Sequence, residues 1–504
     1  MRFFGQALEA TSSPSCRAAE TRSGWHGRQS QGGRIMTSPI RAHTAAVVAV
    51  LLSSVAGHAL AASPETGADQ AALRQEVATL RSQLEQLQAT MAALADRLAQ
   101  AEAALAKTGA QTAAQTAPAE KKAEAKSDAV KVKWEPAPAI SSPDGRFEMN
   151  LRGRVYVDAG FANDDNDTMN VDATELRAAR LGIEGKAWKD IKYKFEVDFA
   201  GNKTTVKDAY IQWHGPIAVT VGQFKTPNSL EEQTSSRYIT FMERGSFTDA
   251  FDFERQIGLA LSTHGKDWSA KFGVFRGNAG SGSAQEGVTV AGRLTYGPKL
   301  AGVQLHVGGS VRYRDQAPGE ALFRYRQRPH LHLASRLIAT DHIADSDVFY
   351  GVEAAAVSGP FAIQAEYGWL NANLMPPMAG GKDPTFSGGY VDVSWFFTGE
   401  QRAYHPDKGS FGRIKVRHPV FEGGPGAWQI ALRYDRIDLS DEGILAGEQN
   451  SFIAGINWYL NRHTRVMFNY AHADITKAFA PTSRGDARGK NKADSFGMRA
   501  QVDW

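Results

Sequence analysis

The stretch ADSFGMRAQVDW, Ala493 to Trp504, decides the fold class. Phe496, Met498, Ala500, Val502 and Trp504 fall on one parity, and Ser495, Gly497, Arg499, Gln501 and Asp503 on the other. A period of two puts these sets on opposite faces of a β-strand. One face is apolar enough for lipid and the other polar enough for water, the pattern of a transmembrane barrel strand. A chain stopping on such a strand, with an aromatic last, reads as the closing strand of a bacterial outer-membrane barrel.

The same period runs back to residue 146. Phe147, Met149, Leu151, Val155 and Val157 alternate with Glu148, Asn150, Arg152, Arg154 and Tyr156. Ile191, Tyr193, Phe195 and Val197 alternate with Lys192, Lys194, Glu196 and Asp198, and Val307, Val311 and Tyr313 with His306, Arg312 and Arg314. Trp428, Ile430, Leu432 and Tyr434 alternate with Gln429, Arg433 and Asp435. Unpaired charge at this density is too costly for a dry sandwich core and suits a hydrated bore. Short connections such as Lys189-Asp190 and Gly265-Lys266-Asp267 read as periplasmic turns, and long polar ones as external loops. Residues 147–504 hold about sixteen strands at roughly 22 residues per strand and connection. No apolar run reaches the length of a spanning helix. The predicted fold class is all-β, a 16-stranded antiparallel transmembrane β-barrel at 146–504, preceded by an α-helical coiled coil.

The region before the barrel divides in three. Residues 1–61 read as an upstream extension followed by a secretory signal. Arg41, the apolar run TAAVVAVLLSSV (44–55) and Ala59-Leu60-Ala61 lie in the order of a charged start, a core and a cleavage site. Translation is expected to begin at Met36. Cys16 is the only cysteine, so a mature chain would hold neither disulfides nor a thiolate site. Without its first 61 residues the chain has 51 basic and 52 acidic residues. Selectivity must then come from where charges sit, not from their sum. Within 62–106, Leu73, Val77, Leu80, Leu84, Leu87, Met91, Leu94 and Leu98 keep a 4-3-4-3 spacing. That is the seam of a coiled coil, which self-associates. Residues 107–145, rich in Ala, Pro, Thr, Gln and Lys, read as a disordered linker. Its lysines could meet anionic lipid or cell wall, or simply solvate a spacer.

Several stretches resemble the phosphate-selective porins O and P. Among them are LRAARLGIEGKAWKDIKYKFEVDFAG (176–201), VGQFKTP (221–227), TSSRYITFMER (234–244), RYRQRPHLHLASRLIAT (324–340), FFTGEQRAYHP (396–406), GAWQIALRYDRIDLSD (426–441) and the terminal strand. The resemblance spans about Phe147 to Trp504. It implies a homotrimeric porin in the outer membrane of a Gram-negative bacterium, with its coiled coil in the periplasm. Such a channel passes small anions, phosphate or polyphosphate first, past arginines on the inner wall and on loops folded inward. It implies no cofactor, no enzymatic activity and no nucleic-acid partner. The chain departs from the pattern at Arg237, where phosphate-specific members place lysine, and at Trp504, where Phe is usual.

The expected inward loop is 226–254, too long and mixed for a hairpin turn. It carries Arg237 and Arg244, with Lys225 before it. A second long loop, 315–347, carries Arg324, Arg326, Arg328 and Arg336. The expected lumen-lining bases are Arg152, Arg154, Arg180, Lys192, Lys194, Arg312, Arg314 and Arg433. Arginine stays charged and presents a planar fork that fits phosphate oxygens. Rings of Arg or Lys make anion-selective pores, provided that each site releases what it binds. The competing reading is structural. Glu148, Glu184, Glu196 and Asp198 share faces with these bases and can pair with them across strands. Two further alternatives stay open: a general or differently selective porin on the same fold, and an envelope tether with the barrel as anchor. Neither NDDND (163–167) nor GNAGSGSAQE (277–286) completes a calcium or phosphate loop, and His330 and His332 lack a third ligand.

Overall fold

In the computed structural model, polar inner residues and apolar outer residues sort as the alternation requires. Arg499 and Asp503 are 2% exposed, whereas Phe496, Met498 and Val502 are exposed on the outer surface. The structure describes residues 130–504 apart from 283–284, 376–381 and 480–487, together with Ser82, Ala89 and Asp96. The expected leader (1–61) and coiled coil (62–106) therefore lie outside the described residues, apart from those three positions.

Sixteen strands form the wall. They are β1 (Glu148–Asp164), β2 (Asn170–Ala187), β3 (Ile191–Asp198), β4 (Thr205–Trp213), β5 (Ala218–Lys225), β6 (Arg255–His264), β7 (Trp268–Phe275) and β8 (Val288–Tyr296). There follow β9 (Val303–Asp315), β10 (Ala344–Ser358), β11 (Phe361–Leu374), β12 (Thr385–Phe396), β13 (Ala427–Asp441), β14 (Ile444–Tyr459), β15 (Thr464–Phe479) and β16 (Arg488–Asp503). Each pairs antiparallel with the next, and β16 returns to β1 in the register Phe496↔Phe161 and Asp503↔Arg154. Closure leaves the wall no free edge, the condition for strands to cross lipid. No helix among the described residues is long and apolar enough to do so.

The ends of the barrel differ. At one end lie the connections 188–190, 265–267 and 359–360. There Trp213, Trp268 and Trp395 are exposed, Trp395 stacks on Phe361 at 5.7 Å, and Trp428 stacks on Trp458 at 5.1 Å. Short turns with an aromatic girdle mark the periplasmic end of such barrels.

The expected linker, 107–145, is ordered from residue 130, which corrects part of that expectation. Lys131–Lys133 pairs with Ala139–Ser141, which pairs with Glu148–Asn150 of β1. The cause lies in the closing register. β16 covers β1 only from Arg154 onward, so the first residues of β1 expose backbone groups that the preceding chain satisfies.

Candidate functional site

Three segments enter the bore, one more than the sequence suggests. The first, 226–254, leaves β5 and returns as β6. It holds two short helices, α1 (Leu230–Gln233) and α2 (Ser246–Ala250). The wall meets its backbone at many points. The Glu366 carboxylate accepts from the Leu230 and Glu231 amides at 2.7 and 2.8 Å, and Asp435 accepts from the Ser246 amide at 2.9 Å. Asn457 donates to the Thr240 carbonyl, Arg465 to that of Ile239 and Arg499 to that of Met242. Inward glycines on the opposite wall allow close approach. A Cβ at Gly455 would lie 3.1 Å from Phe241, and one at Gly497 would lie 3.0 Å from Met242.

The second segment, 316–343, packs Tyr325 and Ile338 into a buried aromatic cluster with Phe247, Phe251, Phe253, Phe349 and Phe386. It also seats Leu331 and Ala334 against Ala162, Ala473 and Ala493 of the wall. The third, 397–426, was not anticipated. It joins β12 to β13 at the short-turn end and folds inward. Phe411 packs with Leu230, Ala355, Val357 and Ala362, and its amide donates to Thr234 Oγ1 at 3.2 Å. Its length between two strands was the available signal. Nothing local in it states a direction.

Between the loops and the wall lies a cavity of about 580 Å³. Twelve Arg and Lys side chains line it against six carboxylates. Of the residues expected from sequence, it brings together Lys225, Arg237, Arg244, Arg328, Arg336, Arg154, Arg180 and Lys194. Each has local partners. Lys225 and Arg244 both reach Glu232 at 3.0 Å, and Arg237 approaches Asp503 at 4.0 Å. Arg154 and Arg180 share Glu196, and Lys194 pairs with Asp208 at 2.6 Å. Arg336 approaches Asp249 at 4.0 Å, and Arg328 donates to the Ala334 carbonyl.

The other expected residues do not line this cavity. Arg152 pairs with Glu184 at 2.7 Å, and Lys192 meets His214 at 3.3 Å. Arg324 donates to the Thr340 carbonyl, and Arg326 is exposed. Arg312, Arg314 and Arg433 face inward but are buried in loop anchorage. Arg312 donates to the Phe251 carbonyl at 2.7 Å, and Arg314 holds Asp347. Arg433 bridges Glu231 and Asp392, each at 2.6 Å, with the Phe241 and Tyr390 rings 4.7 and 4.2 Å from its guanidinium. Cavity residues not anticipated are Arg177, Arg255, Lys271 and Arg499. Parity alone pointed to Arg499, on the polar face of the final strand.

The loop carboxylates differ in state. Burial pushes Glu243 up, but Arg177 at 3.3 Å, Arg499 at 3.0 Å and His332 outweigh it and hold Glu243 down at about 2. Glu254 is pushed up to about 7, first by the charge of Asp252 beside it and then by desolvation, against the pull of Lys207 and Arg314. Behind the lining, Glu196, Asp198, Asp503 and Asp158 pair with Arg154, Arg180, Arg237 and Arg499 as well, so the twelve cations face ten carboxylates in all and the cavity keeps a positive surplus of two in confined water. That surplus raises the local concentration of anions. The paired carboxylates weaken each individual contact, which favours release over trapping.

An uncharacterized protein of Caulobacter vibrioides is 33% identical over 461 residues, covering 86% of this chain and 90% of that one. Porin O of Pseudomonas aeruginosa is 26% identical over 420 residues, covering 74% and 92%. Among solved structures, an anion-selective porin from Comamonas acidovorans covers 71% of this chain and all of its own, at 14% identity and a TM-score of 0.45. The model of the family described as phosphate-selective porin O and P matches residues 149–504, from the second residue of β1 to the final tryptophan, and the chain accordingly belongs to that family of outer-membrane porins.

Proposed function

We propose that the protein is a passive channel for small anions, with phosphate or polyphosphate favoured, and not an enzyme. The observation that supports this is a cavity beside the inserted loop lined by twelve cations, more than the carboxylates in and just behind its lining can balance. An anion entering so narrow a passage exchanges water for N–H donors, and guanidinium forks supply them without fixing a proton. Lys225, Arg237, Arg244, Arg328 and Arg336 would form the constriction. Arg154, Arg180 and Lys194 would carry the anion along the wall, and Arg324 and Arg326 would contribute charge at the mouth. Arg152, Lys192, Arg312, Arg314 and Arg433 would set the background field. The working unit would be a homotrimer embedded in outer-membrane lipid. Its periplasmic coiled coil would drive assembly or reach the cell wall.

A general porin is the second reading, favoured by the frequency of pairing: ten of the twelve cations have a carboxylate within 4.0 Å. Planar-bilayer reversal potentials under a potassium chloride gradient separate the two, with chloride conductance titrated by phosphate. Anion preference with phosphate block supports the proposal. Anion preference without block leaves a less specialised porin, and cation preference ends the anion reading and leaves a differently selective porin on the same fold.

A further inference from the structure

Most cations in the cavity face a carboxylate, and two do not. Among the described residues, Lys271 and Arg328 have none within 4.0 Å. Arg328 is held by the Ala334 carbonyl on an inserted loop. Lys271 is different: it stands on the rigid wall, and no hydrogen bond to another described residue holds its ammonium. Its partner is the face of Phe224, 4.7 Å from Nζ to the ring centroid. Phe224 is fixed edge-on by Tyr210 at 5.9 Å and Phe275 at 5.3 Å.

The register explains the isolation. On β7, Lys271 pairs with Ser262 of β6 and Arg293 of β8. Neither cross-strand neighbour is an acid, and Arg293 is itself taken by Glu353 at 2.6 Å. The remaining inward positions of β6, Gln256, Gly258 and Ala260, carry no carboxylate either. An ion pair presents little net field a few ångströms away, whereas an unpaired ammonium presents nearly a full charge. A ring face stabilises a cation without neutralising it.

We propose that Lys271 is a selectivity-determining residue of the channel: the wall cation that passing anions contact as a transient counter-ion. This rests on the anion-channel reading above and assigns its main wall contact to a residue that family likeness does not single out. The partner is a small anion, met by a point charge free to turn its three donors, which allows fast exchange.

The test uses the full-length protein in planar bilayers. Wild type is measured first, and cation preference there would remove the underlying channel reading without reaching the mutant. Given an anion-selective wild type, Lys271→Gln should lower the anion-over-cation permeability ratio by roughly fivefold, the effect of one unit charge at close range, and Lys271→Arg should preserve it. Arg436→Gln, on the outer face of the wall and paired with Glu448 at 3.0 Å, should change it little. Lys271→Cys gives a second readout, because Cys16 is the chain's only cysteine. A positively charged thiol reagent should restore the ratio, and a neutral one of similar size should not. Heat-modifiable electrophoretic mobility confirms that each variant forms the barrel. An unchanged ratio in a folded Lys271→Gln channel, or equal restoration by both reagents, overturns the proposal.

Discussion

On the anion-channel proposal, Glu254 should make selectivity sensitive to pH in a range where ordinary carboxylates are silent. Its carboxyl is raised from 4.5 to about 7, mainly by the charge of Asp252 and also by desolvation. A group with that value is roughly nine-tenths protonated at pH 6 and roughly one-tenth at pH 8. Raising the pH across this window therefore adds most of one negative charge to a cavity lined by twelve cations, most of them already paired. A unit charge about 8 Å from a passing anion, at an effective dielectric of about 40, interacts by about 1 kcal/mol. The anion-over-cation permeability ratio should thus fall roughly threefold to fivefold from pH 6 to pH 8. Reversal potentials at fixed ionic strength measure it. His330 and His332 line the same cavity, so the decisive quantity is the difference between the wild-type and Glu254→Gln curves. Asp252→Asn supplies the signature of the cause: with its neighbour neutral, Glu254 should titrate nearer 4.5, and the transition should move to acid pH. Coincident wild-type and Glu254→Gln curves, or an Asp252→Asn transition that stays near neutrality, would refute the reasoning.

Three other outcomes are expected. Neutralising Arg237 and Arg244 together should lower the permeability ratio, since it removes two cavity cations and leaves Glu232 to Lys225 alone; an unmoved reversal potential would remove both from the filter. Arg433→Met should cost about 3–5 kcal/mol by leaving Glu231 and Asp392 buried without their cation, read as a lower temperature of barrel unfolding on electrophoresis, with partial rescue by Glu231→Gln and Asp392→Asn. Arg499→Lys keeps one charge but cannot hold Asp158, Glu243 and the Met242 carbonyl together; open-channel noise should rise while the reversal potential stays near wild type, and a shifted potential with a quiet current would contradict that division of roles.

Much of the wall was legible because strand parity is a local property. Phe496 and Arg499 announce their sides within five residues, and so do Leu432 and Arg433. The length of 226–254 likewise marks it as more than a turn. What parity cannot convey is the distant partner. Arg433 looks like a lumen cation in its own strand, yet its charge is taken by Glu231, 202 positions earlier. Arg312 is similarly withdrawn to the carbonyls of Phe251 and Asp252. The inward fold of 397–426 depends on Phe411 meeting Leu230 and Ala355, a fit that no window of sequence contains. Lys271 escapes sequence reading for the opposite reason: what distinguishes it is the lack of a carboxylate partner, visible only once the registers of β6 and β8 are known.

The distinction between engaged and unengaged cations accounts for why arginine dominates this bore. An inserted loop brings backbone carbonyls into a confined space, and the wall must offer donors to them while balancing its own acids. Arginine does both at once, with five N–H groups in a fixed fork. Arg499 reaches a wall carboxylate, a loop carbonyl and a loop carboxylate from one guanidinium. Lysine, with a single nitrogen, does so poorly. Counting arginines along the inner wall therefore measures loop anchorage as much as affinity for anions. On the reading proposed above, conduction would fall to the charge that anchorage leaves over, which is the cavity's surplus and, on the wall, the ammonium of Lys271. A channel built this way can hold its constriction rigid with strong buried pairs and still bind its cargo weakly, because the two tasks rest on different residues.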